Sequence, residues 1–413
     1  MTNAIIEKSF LEGQIIPTGF EEIAFRTMIF LALKNGGIVG NSPDTKKINE
    51  IIDGLNEFGA DILFQEGNAD IFPIRKEKEK VDLKGSLIAS RFLIPLGFFL
   101  SKNITFENIN LPIFARKALF DYAKRVNVRI FGIKNSLKID SSKSELNRLE
   151  FENIEGSFWA GSFILAAAST STEFFADLDE YVASQPSIYH TAATFDLLDY
   201  DYNFEENQKV FYLSLKNWDK EIELDIPPST KLASYYSAAF LLAGKGKVKC
   251  SKLFYKEIEL LRSIAKENIN EREDGFEIKE PLQQIDFPSQ IAPQSFPYFL
   301  PILFVLCSRA KKTTKIGPFV PYRKKRLQEL KDYAKRLNEI GAKIDYIEPY
   351  FEIKPSNFYG GISEINDAYE GMAMTIAGLI SKSTVKLKNI EKIIGLNKNF
   401  FDDLKTCGAK IEL

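Results

Sequence analysis

The sequence predicts an α/β fold built from six repeats that are grouped into two lobes of three. Three observations support this prediction: a recurring apolar helix followed by a Gly/Lys/Ser turn and a short strand, a second helix that is amphipathic, and strands that alternate apolar and polar residues. The repeat spacing of roughly 60–75 residues exceeds the common solenoid periods of about 20–50. Each repeat is therefore a small βα unit that needs neighbours to bury its first helix.

The repeats follow one another along the chain. The better copies read "FRTMIFLALKNGGIVGNSPDTKKINEIIDGLNEFGADI", "FPYFLPILFVLCSRAKKTTKIGPFVPYRKKRLQELKDYAKRLNEIGAKI" and "GMAMTIAGLISKSTVKLKNIEKIIGLNKNFFDDLKTCGAKIEL". Weaker copies begin at "ASRFLIPLGFF", "AGSFILAAAST" and "ASYYSAAFLLAG". The first helix of each copy is apolar nearly all round, which predicts burial. The second helix of the first copy has an apolar face made of Ile48, Ile51, Ile52, Leu55 and Phe58.

A crossing point between the two groups of repeats is predicted after the third copy. There the chain reads "FEENQKVFYLSLKNWDKEIELDIPPST", which is strand-like and contains Pro227 and Pro228. One open doubly wound sheet is the alternative arrangement for repeated βα units. The alternation in "KVKCSKL" and "TVKLKNI" favours smaller sheets with one solvated face instead.

Composition excludes several classes of function. The 413 residues include 54 Lys and Arg against 56 Asp and Glu, so no global field attracts nucleic acid or an acidic membrane. Three widely spaced cysteines and one histidine predict no disulfide framework, no metal site and a reducing cytoplasm. The opening "TNAIIEKSFLEG" lacks the pattern of a signal peptide. The longest apolar runs, "SFPYFLPILFVLC" and "RFLIPLGFFL", are too short to span a bilayer.

The six copies together resemble the enolpyruvyl transferase family, most closely its 5-enolpyruvylshikimate-3-phosphate synthase branch, over essentially the whole chain. The resemblance implies a two-lobed inside-out α/β barrel in which each lobe has three βαβαββ units. The N-terminal lobe would be residues 18–226 and the C-terminal lobe residues 1–17 plus 227–413. The implied activity, in the shikimate pathway to chorismate and the aromatic amino acids, transfers enolpyruvyl from phosphoenolpyruvate to shikimate-3-phosphate or acts on a related cyclohexene acid. A monomer with small anionic substrates and no cofactor is expected.

The substrate-binding motifs of the family are only partly present. Its Gly-Ser-Lys-Ser-x-Ser-x-Arg element reads "GFEEIAFR", which keeps Arg26, and its Gly-Thr-x-x-Arg segment becomes "SLIASRF", which keeps Arg91. "WAGSF" with Ser162 stands for Ser-Ser-Gln, and "YRKKR" with Arg323 and Arg326 stands for Lys-Glu-x-x-Arg. The resemblance implies that these five residues bind substrate. Arginine suits this role because its planar fork pairs with carboxylates and phosphates.

The catalytic motifs differ more. The family's Pro-Asp-Leu-x-Pro segment becomes "SQIAP", and its Asp-His-Arg becomes Tyr369-Glu370-Gly371 before a well-matched "MAM". Lys398 in "GLNKNFF" matches the C-terminal lysine. Because the reaction needs a general base and an acid, we expect Glu370 and Lys398 to be catalytic. A diverged homologue that keeps the fold as a ligand-binding or partner protein is the alternative.

Three features allow a structural interpretation beside the functional one. Glu21 and Glu22 suit the dipole of a helix N-terminus, although Glu21 could also pair with an arginine or act in catalysis. The basic stretch "PYRKKRLQELKDYAKRL" is either the solvated face of an amphipathic helix or an anion site. His190 is interpreted as a capping or packing residue.

Overall fold

The computed structural model of the chain describes residues 2–100, 102–205, 207–215, 218–251, 256–265, 268–292, 298–319 and 324–413, with the backbone alone at 256–259. Two compact units are present. Unit 1 comprises Met1–Thr18 and Pro227–Leu413, and unit 2 comprises Gly19–Ile226. No helix in the described ranges is long and apolar enough to cross a membrane.

Unit 1 begins with the first two strands of the chain, and unit 2 follows them. The two strands are β1 (Asn3–Ile6) and β2 (Leu11–Ile15). The strands of unit 2 are β3 (Gly37–Gly40), β4 (Asp61–Gln65), β5 (Asn68–Phe72), β6 (Lys80–Asp82), β7 (Asn103–Glu107), β8 (Arg129–Ile133), β9 (Ser136–Asp140), β10 (Arg148–Phe151), β11 (Phe174–Leu178), β12 (Asn203–Glu205), β13 (Val210–Leu213) and β14 (Glu223–Asp225). Its helices are α1 (Glu21–Leu33), α2 (Lys46–Phe58), α3 (Leu87–Leu93), α4 (Leu96–Phe99), α5 (Ile113–Arg125), α6 (Asn153–Ser169), α7 (Glu180–Ala183) and α8 (Pro186–Leu197).

The rest of unit 1 repeats the same kinds of element. Its strands are β15 (Gly244–Lys249), β16 (Ile269–Arg272), β17 (Gly275–Ile278), β18 (Gln290–Ile291), β19 (Thr314–Ile316), β20 (Ile344–Ile347), β21 (Tyr350–Ile353), β22 (Gly361–Glu364), β23 (Val385–Lys388) and β24 (Ile411–Glu412). Its helices are α9 (Thr230–Ala243), α10 (Lys256–Ala265), α11 (Leu300–Cys307), α12 (Lys324–Glu339), α13 (Ala368–Leu379), α14 (Glu391–Leu396) and α15 (Phe400–Thr406).

The strands form six four-stranded sheets, three in each unit. Unit 2 has the sheets β14-β3-β5-β4, β6-β7-β9-β8 and β10-β11-β13-β12, and unit 1 has β2-β15-β17-β16, β18-β19-β21-β20 and β22-β23-β1-β24. In the sheet of β6 to β9, β6 pairs parallel with β7, and the pairs β7–β9 and β8–β9 are antiparallel. The six predicted repeats are thereby confirmed, and a single open doubly wound sheet is excluded.

Two sheets of unit 1 need strands from the start of the chain. β1 pairs antiparallel with β23 and β24, and β2 pairs parallel with β15. In unit 2, β14 at the end of the segment pairs parallel with β3 near its start. Each unit therefore completes its own sheets, which explains why the chain crosses between the units at two places.

The central helices of each unit are buried as their composition predicts. In unit 2, α1 is buried from Ile23 to Ala32, and α6 is buried from Trp159 to Ser169. In unit 1, every residue of α9 and α11 is buried. Helices that are apolar on all sides avoid water only in the interior of such a packing.

The amphipathic helix α2 shows how the second helix of a repeat is specified. Its apolar face is buried as predicted from the sequence. Thr45 caps its N-terminus by accepting a hydrogen bond from the Ile48 backbone N–H, and Gly59 ends it with a left-handed φ of 119°. Its first turn lies beside α1, which brings Lys47 near the start of that helix.

Candidate functional site

The first turn of α1 contains an acidic residue that is paired. One Glu21 carboxylate oxygen accepts a hydrogen bond from Thr45 Oγ1, and the other forms an ion pair with Lys47 Nζ. The Glu21 side chain is 12% exposed, and that of Lys47 is 50% exposed. The partner is thus a lysine at the start of α2 rather than an arginine. Glu22 also lies in the first turn, so both acids complement the α1 dipole as the sequence indicates.

Two of the predicted substrate-binding arginines converge on one hydroxyl in unit 2. Arg26 on α1 donates from Nη2 to Ser187 Oγ at 3.2 Å and from Nε to Thr191 Oγ1 at 3.2 Å. Arg91 on α3 donates from Nη2 to the same Ser187 Oγ at 3.3 Å. Its Nε donates to the Phe158 carbonyl oxygen at 2.6 Å. Three helices, α1, α3 and α8, therefore place two guanidinium groups beside the start of α8.

The electrostatics of this arginine cluster are those of two like charges, one buried and one partly buried. Arg26 is only 2% exposed. Its pKa is lowered to about 9, because burial and, to a lesser extent, the neighbouring Arg91 lower it while Glu22 opposes both effects. The Phe92 ring lies 4.8 Å from the Arg26 guanidinium carbon and 5.2 Å from that of Arg91, which adds cation–π attraction. An anion placed here would relieve the repulsion between the two cations.

A glycine permits the close approach of α6 and α8 that positions Ser187. A Cβ atom at Gly161 would lie 2.4 Å from Ser187 Oγ and 2.9 Å from the Ser187 carbonyl oxygen. The adjacent Ser162, which we predicted to bind substrate, is fully buried and donates to the Trp159 carbonyl oxygen at 2.8 Å. Its described contacts are thus with its own helix. Ser187 and Thr191, in "PSIYHTAATF", were missed because nothing in the sequence indicates that they face the arginines.

A polar cavity of about 550 Å³ adjoins the start of α3 in unit 2. Two cationic side chains, Lys84 and Arg116, line it together with Asn108, Asn110 and Asn135. The Asn110 backbone N–H donates to Ser90 Oγ at 3.0 Å, which fixes this wall of the cavity to the helix that carries Arg91. The sequence did not identify this cavity, because Lys84 comes from a loop and Arg116 from α5, and neither belongs to a motif.

Glu370, a predicted catalytic residue, is the buried acid of unit 1. It lies in the first turn of α13, with its side chain 3% exposed, and forms an ion pair with Arg336 Nη2 from α12. The pKa of the Glu370 carboxyl is raised to about 7, because burial and Asp367 raise it by more than Arg336 and Arg326 lower it. A carboxyl group with this pKa changes its protonation state near neutral pH, as proton-transfer groups must.

The remaining predicted residues of unit 1 lie in different surroundings. Arg326 is half-buried at the start of α12, 3.2 Å from a Glu329 carboxylate oxygen, and its charge lowers the pKa of Glu370. Lys398 is exposed just after α14. Arg323 lies outside the described residues. The exposed Lys324 and Lys325 fit the solvated-face interpretation of the basic stretch.

An aromatic cluster surrounds a lysine that the sequence did not single out. Lys231, 9% exposed in the first turn of α9, has its Nζ 4.0 Å from the Tyr298 ring centroid. The Tyr369 ring lies 5.6 Å from that of Tyr298 and 5.7 Å from that of Tyr235. Tyr369 is the residue before Glu370, so the cluster is next to the buried acid.

Other sequence interpretations concern packing and metals. His190 is buried on α8 and packs edge-on against Phe20, with ring centroids 5.1 Å apart, which confirms its packing role. Cys250, Cys307 and Cys407 are buried free thiols. Within the described ranges, no group of three or more His, Cys, Asp or Glu side chains could hold a metal ion.

Comparisons with known proteins agree on one family. The profile described as EPSP synthase (3-phosphoshikimate 1-carboxyvinyltransferase) matches residues 6–404. A relative from Brachyspira hyodysenteriae, named 3-phosphoshikimate 1-carboxyvinyltransferase, is 25% identical over 376 residues, or 85% of each chain. Another of that name, from Clostridium acetobutylicum, is 24% identical over 429 residues, or 97% of this chain and 96% of the relative.

Solved structures show the same fold. The enolpyruvyl transferase NikO from Streptomyces tendae matches with a TM-score of 0.79 and 14% identity, over 99% of this chain and 98% of its own. EPSP synthase from Acinetobacter baumannii matches with a TM-score of 0.80 and 16% identity, over 100% of both chains. These likenesses confirm the predicted two-lobed inside-out α/β barrel of three βαβαββ units in each lobe.

Proposed function

This chain belongs to the EPSP synthase family, and on that premise we propose that it is an enolpyruvyl transferase. The donor is phosphoenolpyruvate, and the acceptor is shikimate-3-phosphate or a related cyclohexene acid. The convergence of Arg26 and Arg91 on Ser187 is the observation that carries the proposal, because paired guanidinium groups bind phosphate and carboxylate groups.

The reaction needs charge stabilisation and three proton transfers. The acceptor hydroxyl oxygen forms a bond to C2 of phosphoenolpyruvate while a base takes the hydroxyl proton and an acid protonates the CH₂ carbon. The bond from C2 to the phosphate oxygen then breaks, phosphate leaves with its electron pair, and the new methyl group loses a proton to restore the double bond. No electrons are gained or lost, so the chain needs cations and proton-transfer groups only.

Unit 2 supplies four of the cations in this proposal. Arg26 and Arg91 hold one anionic group of a substrate, with Ser187 as a shared hydroxyl partner. Lys84 and Arg116 line the polar cavity next to α3 and would hold a second anionic group. Charge-assisted hydrogen bonds of this kind contribute roughly 1.5–3 kcal/mol each.

Unit 1 supplies the proton-transfer group. We assign the general base to Glu370, whose pKa of about 7 lets it accept a proton and release it again near neutral pH. The exposed ammonium group of Lys398 is proposed to stabilise the negative charge of the departing phosphate, and Arg326 and Arg323 are proposed to bind substrate.

The buried free thiols support a reducing compartment, the cytoplasm.

The proposal is tested with binding and turnover assays on the purified chain. Isothermal titration should detect shikimate-3-phosphate, and inorganic phosphate should appear when phosphoenolpyruvate is added. Arg91→Gln should weaken substrate binding roughly 10- to 100-fold, as loss of one charge-assisted contact predicts. Arg129→Gln, which removes the exposed partner of the Arg129–Asp140 ion pair, is the matched control and should bind as the wild type does.

A second function is favoured by the negative charge of Glu21 in the first turn of α1, the helix that carries Arg26. That charge opposes a highly anionic substrate, although Lys47 partly neutralises it. A ligand-binding protein without transferase activity would bind shikimate-3-phosphate or phosphoenolpyruvate and release no phosphate. Absence of both binding and phosphate release at millimolar ligand would contradict the transferase proposal.

A further inference from the structure

We propose that Arg336 is a positioning residue that holds the Glu370 carboxylate in place for proton transfer. The inference rests on the proposed function of Glu370 and assigns a role to a residue that no motif indicates. Arg336 lies in the last turn of α12, whereas Glu370 lies in the first turn of α13. The contact joins two helices within unit 1, and both side chains are largely removed from water, at 12% and 3% exposure.

Glu370 does not play the part that its position in the helix predicts. The sequence Asp367-Ala-Tyr-Glu370 has the spacing of a capping box, in which the glutamate would accept a hydrogen bond from the backbone N–H of the N-cap residue. Half of the box forms, because Asp367 Oδ1 accepts from the Glu370 backbone N–H at 3.3 Å. In the described part of the chain the reciprocal bond is absent, and the carboxylate is directed to Arg336 instead.

The two carboxylate oxygens of Glu370 are in different situations. Oε2 accepts a hydrogen bond from Arg336 Nη2. Among the described residues, no hydrogen bond reaches Oε1. A carboxylate held by one oxygen presents the other in a fixed direction, as a general base must. The proton of the acceptor hydroxyl would pass to Oε1 while the bond at Oε2 is kept.

The arginine itself retains an unused donor. Arg336 Nε is buried and has no hydrogen-bond partner in the described ranges. Buried polar groups are almost always paired, and in the described ranges the Glu370 carboxylate is the hydrogen-bond partner of this guanidinium group. The guanidinium group of Arg336 is therefore oriented by its bond to Glu370.

The charges around Glu370 come from two elements. Arg336 and Arg326 on α12 favour the ionised carboxylate, whereas Asp367 at the start of α13 opposes it. The phenols of Tyr333 on α12 and Tyr235 on α9 lie in the same region and have raised pKa values because they are buried. On α14, Lys392 Nζ donates to the backbone carbonyls of Ile365 and Asn366. Arg336 is the cation that directly contacts the carboxylate.

The test measures the protonation of Glu370 with and without the arginine. Infrared difference titration of the full chain reports the carboxyl C=O stretch, and the band that disappears in Glu370→Gln belongs to Glu370. Arg336→Gln should move the midpoint of that band upward by about 1 pH unit or more, since a contacting cation shifts a carboxyl pKa by about 1–3 units. Arg336→Lys should restore most of the shift, and Arg129→Gln should leave the midpoint unchanged. Circular dichroism verifies that each variant is folded.

The rate of phosphate release is then measured against pH on the same proteins. In Arg336→Gln, the pH below which protonation of Glu370 slows phosphate release should rise together with the infrared midpoint. The change in kcat should be larger than the change in KM. An unchanged infrared midpoint in Arg336→Gln overturns the inference about Arg336. A shifted midpoint in a chain that releases no phosphate supports the Arg336–Glu370 coupling and instead overturns the proposed transferase function.

Discussion

Replacing Gly161 by alanine tests whether the approach of α6 to α8 sets the arginine cluster. The added Cβ would lie 2.4 Å from Ser187 Oγ, 2.9 Å from the Ser187 carbonyl oxygen and 3.1 Å from Thr191 Oγ1. Two of these atoms belong to short side chains and the third belongs to the backbone, so they cannot swing away as the end of a lysine could. Helix α8 must therefore move, and Ser187 with it.

Two opposing effects determine how far Gly161→Ala changes the free energy of unfolding. Alanine in place of glycine inside a helix stabilises the folded state by about 1 kcal/mol. Overpacking of a buried contact costs about 1–3 kcal/mol, and the three short distances at Gly161 indicate the upper part of this range. We therefore expect Gly161→Ala to lower the free energy of unfolding of unit 2 by roughly 2 kcal/mol.

Tryptophan fluorescence is suited to this measurement. The chain has two tryptophans, Trp159 and Trp218, and both lie in Gly19–Ile226, so urea unfolding followed by their fluorescence reports unit 2. Ser157→Ala is the control, because its hydroxyl only donates to the Ile154 carbonyl oxygen within α6. It should change the free energy of unfolding by less than about 0.5 kcal/mol. Equal stability of Gly161→Ala and Ser157→Ala would refute the steric reasoning.

Three further predictions concern unit 1. The pKa of Glu370 is raised to about 7 in the folded chain, so folding takes up a proton between pH 4.5 and 7. As pH rises through this window, the free energy of unfolding of the wild type should fall relative to that of Glu370→Gln, by up to ~1.4 kcal/mol per pH unit. The same pH dependence of stability in both proteins would contradict this prediction. Burial raises the pKa of the Cys307 thiol, so a thiol reagent should modify it only after unfolding. Tyr236→Phe removes the acceptor that lies 2.8 Å from Asn397 Nδ2 and should cost roughly 1–3 kcal/mol in thermal unfolding; an unchanged Tm would contradict the bond.

The fold could be predicted because its determinants are local and repeated. The all-apolar helix α11 and the one-sided helix α2 each show their environment in their own sequence, and both are buried as expected. The alternating strand β23 likewise has buried Val385 and Leu387 between less buried lysines. Six copies of such signals reinforce one another, so an error in one copy does not change the architecture.

The site was less predictable because its contacts join distant parts of the chain. Arg26 and Arg91 could be picked out from motif positions, yet the hydroxyl that unites them belongs to Ser187. Lys84 and Arg116 line a cavity without belonging to a motif. Local patterns define helices and strands, but they do not specify which loop or helix start faces another.

The two acids at helix starts, Glu21 and Glu370, illustrate what local sequence patterns can and cannot predict. Glu21 suits the dipole of its helix as its position indicates, whereas Glu370 stands at the glutamate position of a capping box of which only the Asp367 half forms among the described residues. Each carboxylate is nevertheless directed to a cation on another helix, Lys47 for Glu21 and Arg336 for Glu370. The two ion pairs differ in burial, because Lys47 in the Glu21 pair is half exposed whereas both side chains of the Arg336–Glu370 pair are largely removed from water. A carboxylate that is removed from water has a higher pKa, so Glu370 is suited to exchange a proton near pH 7.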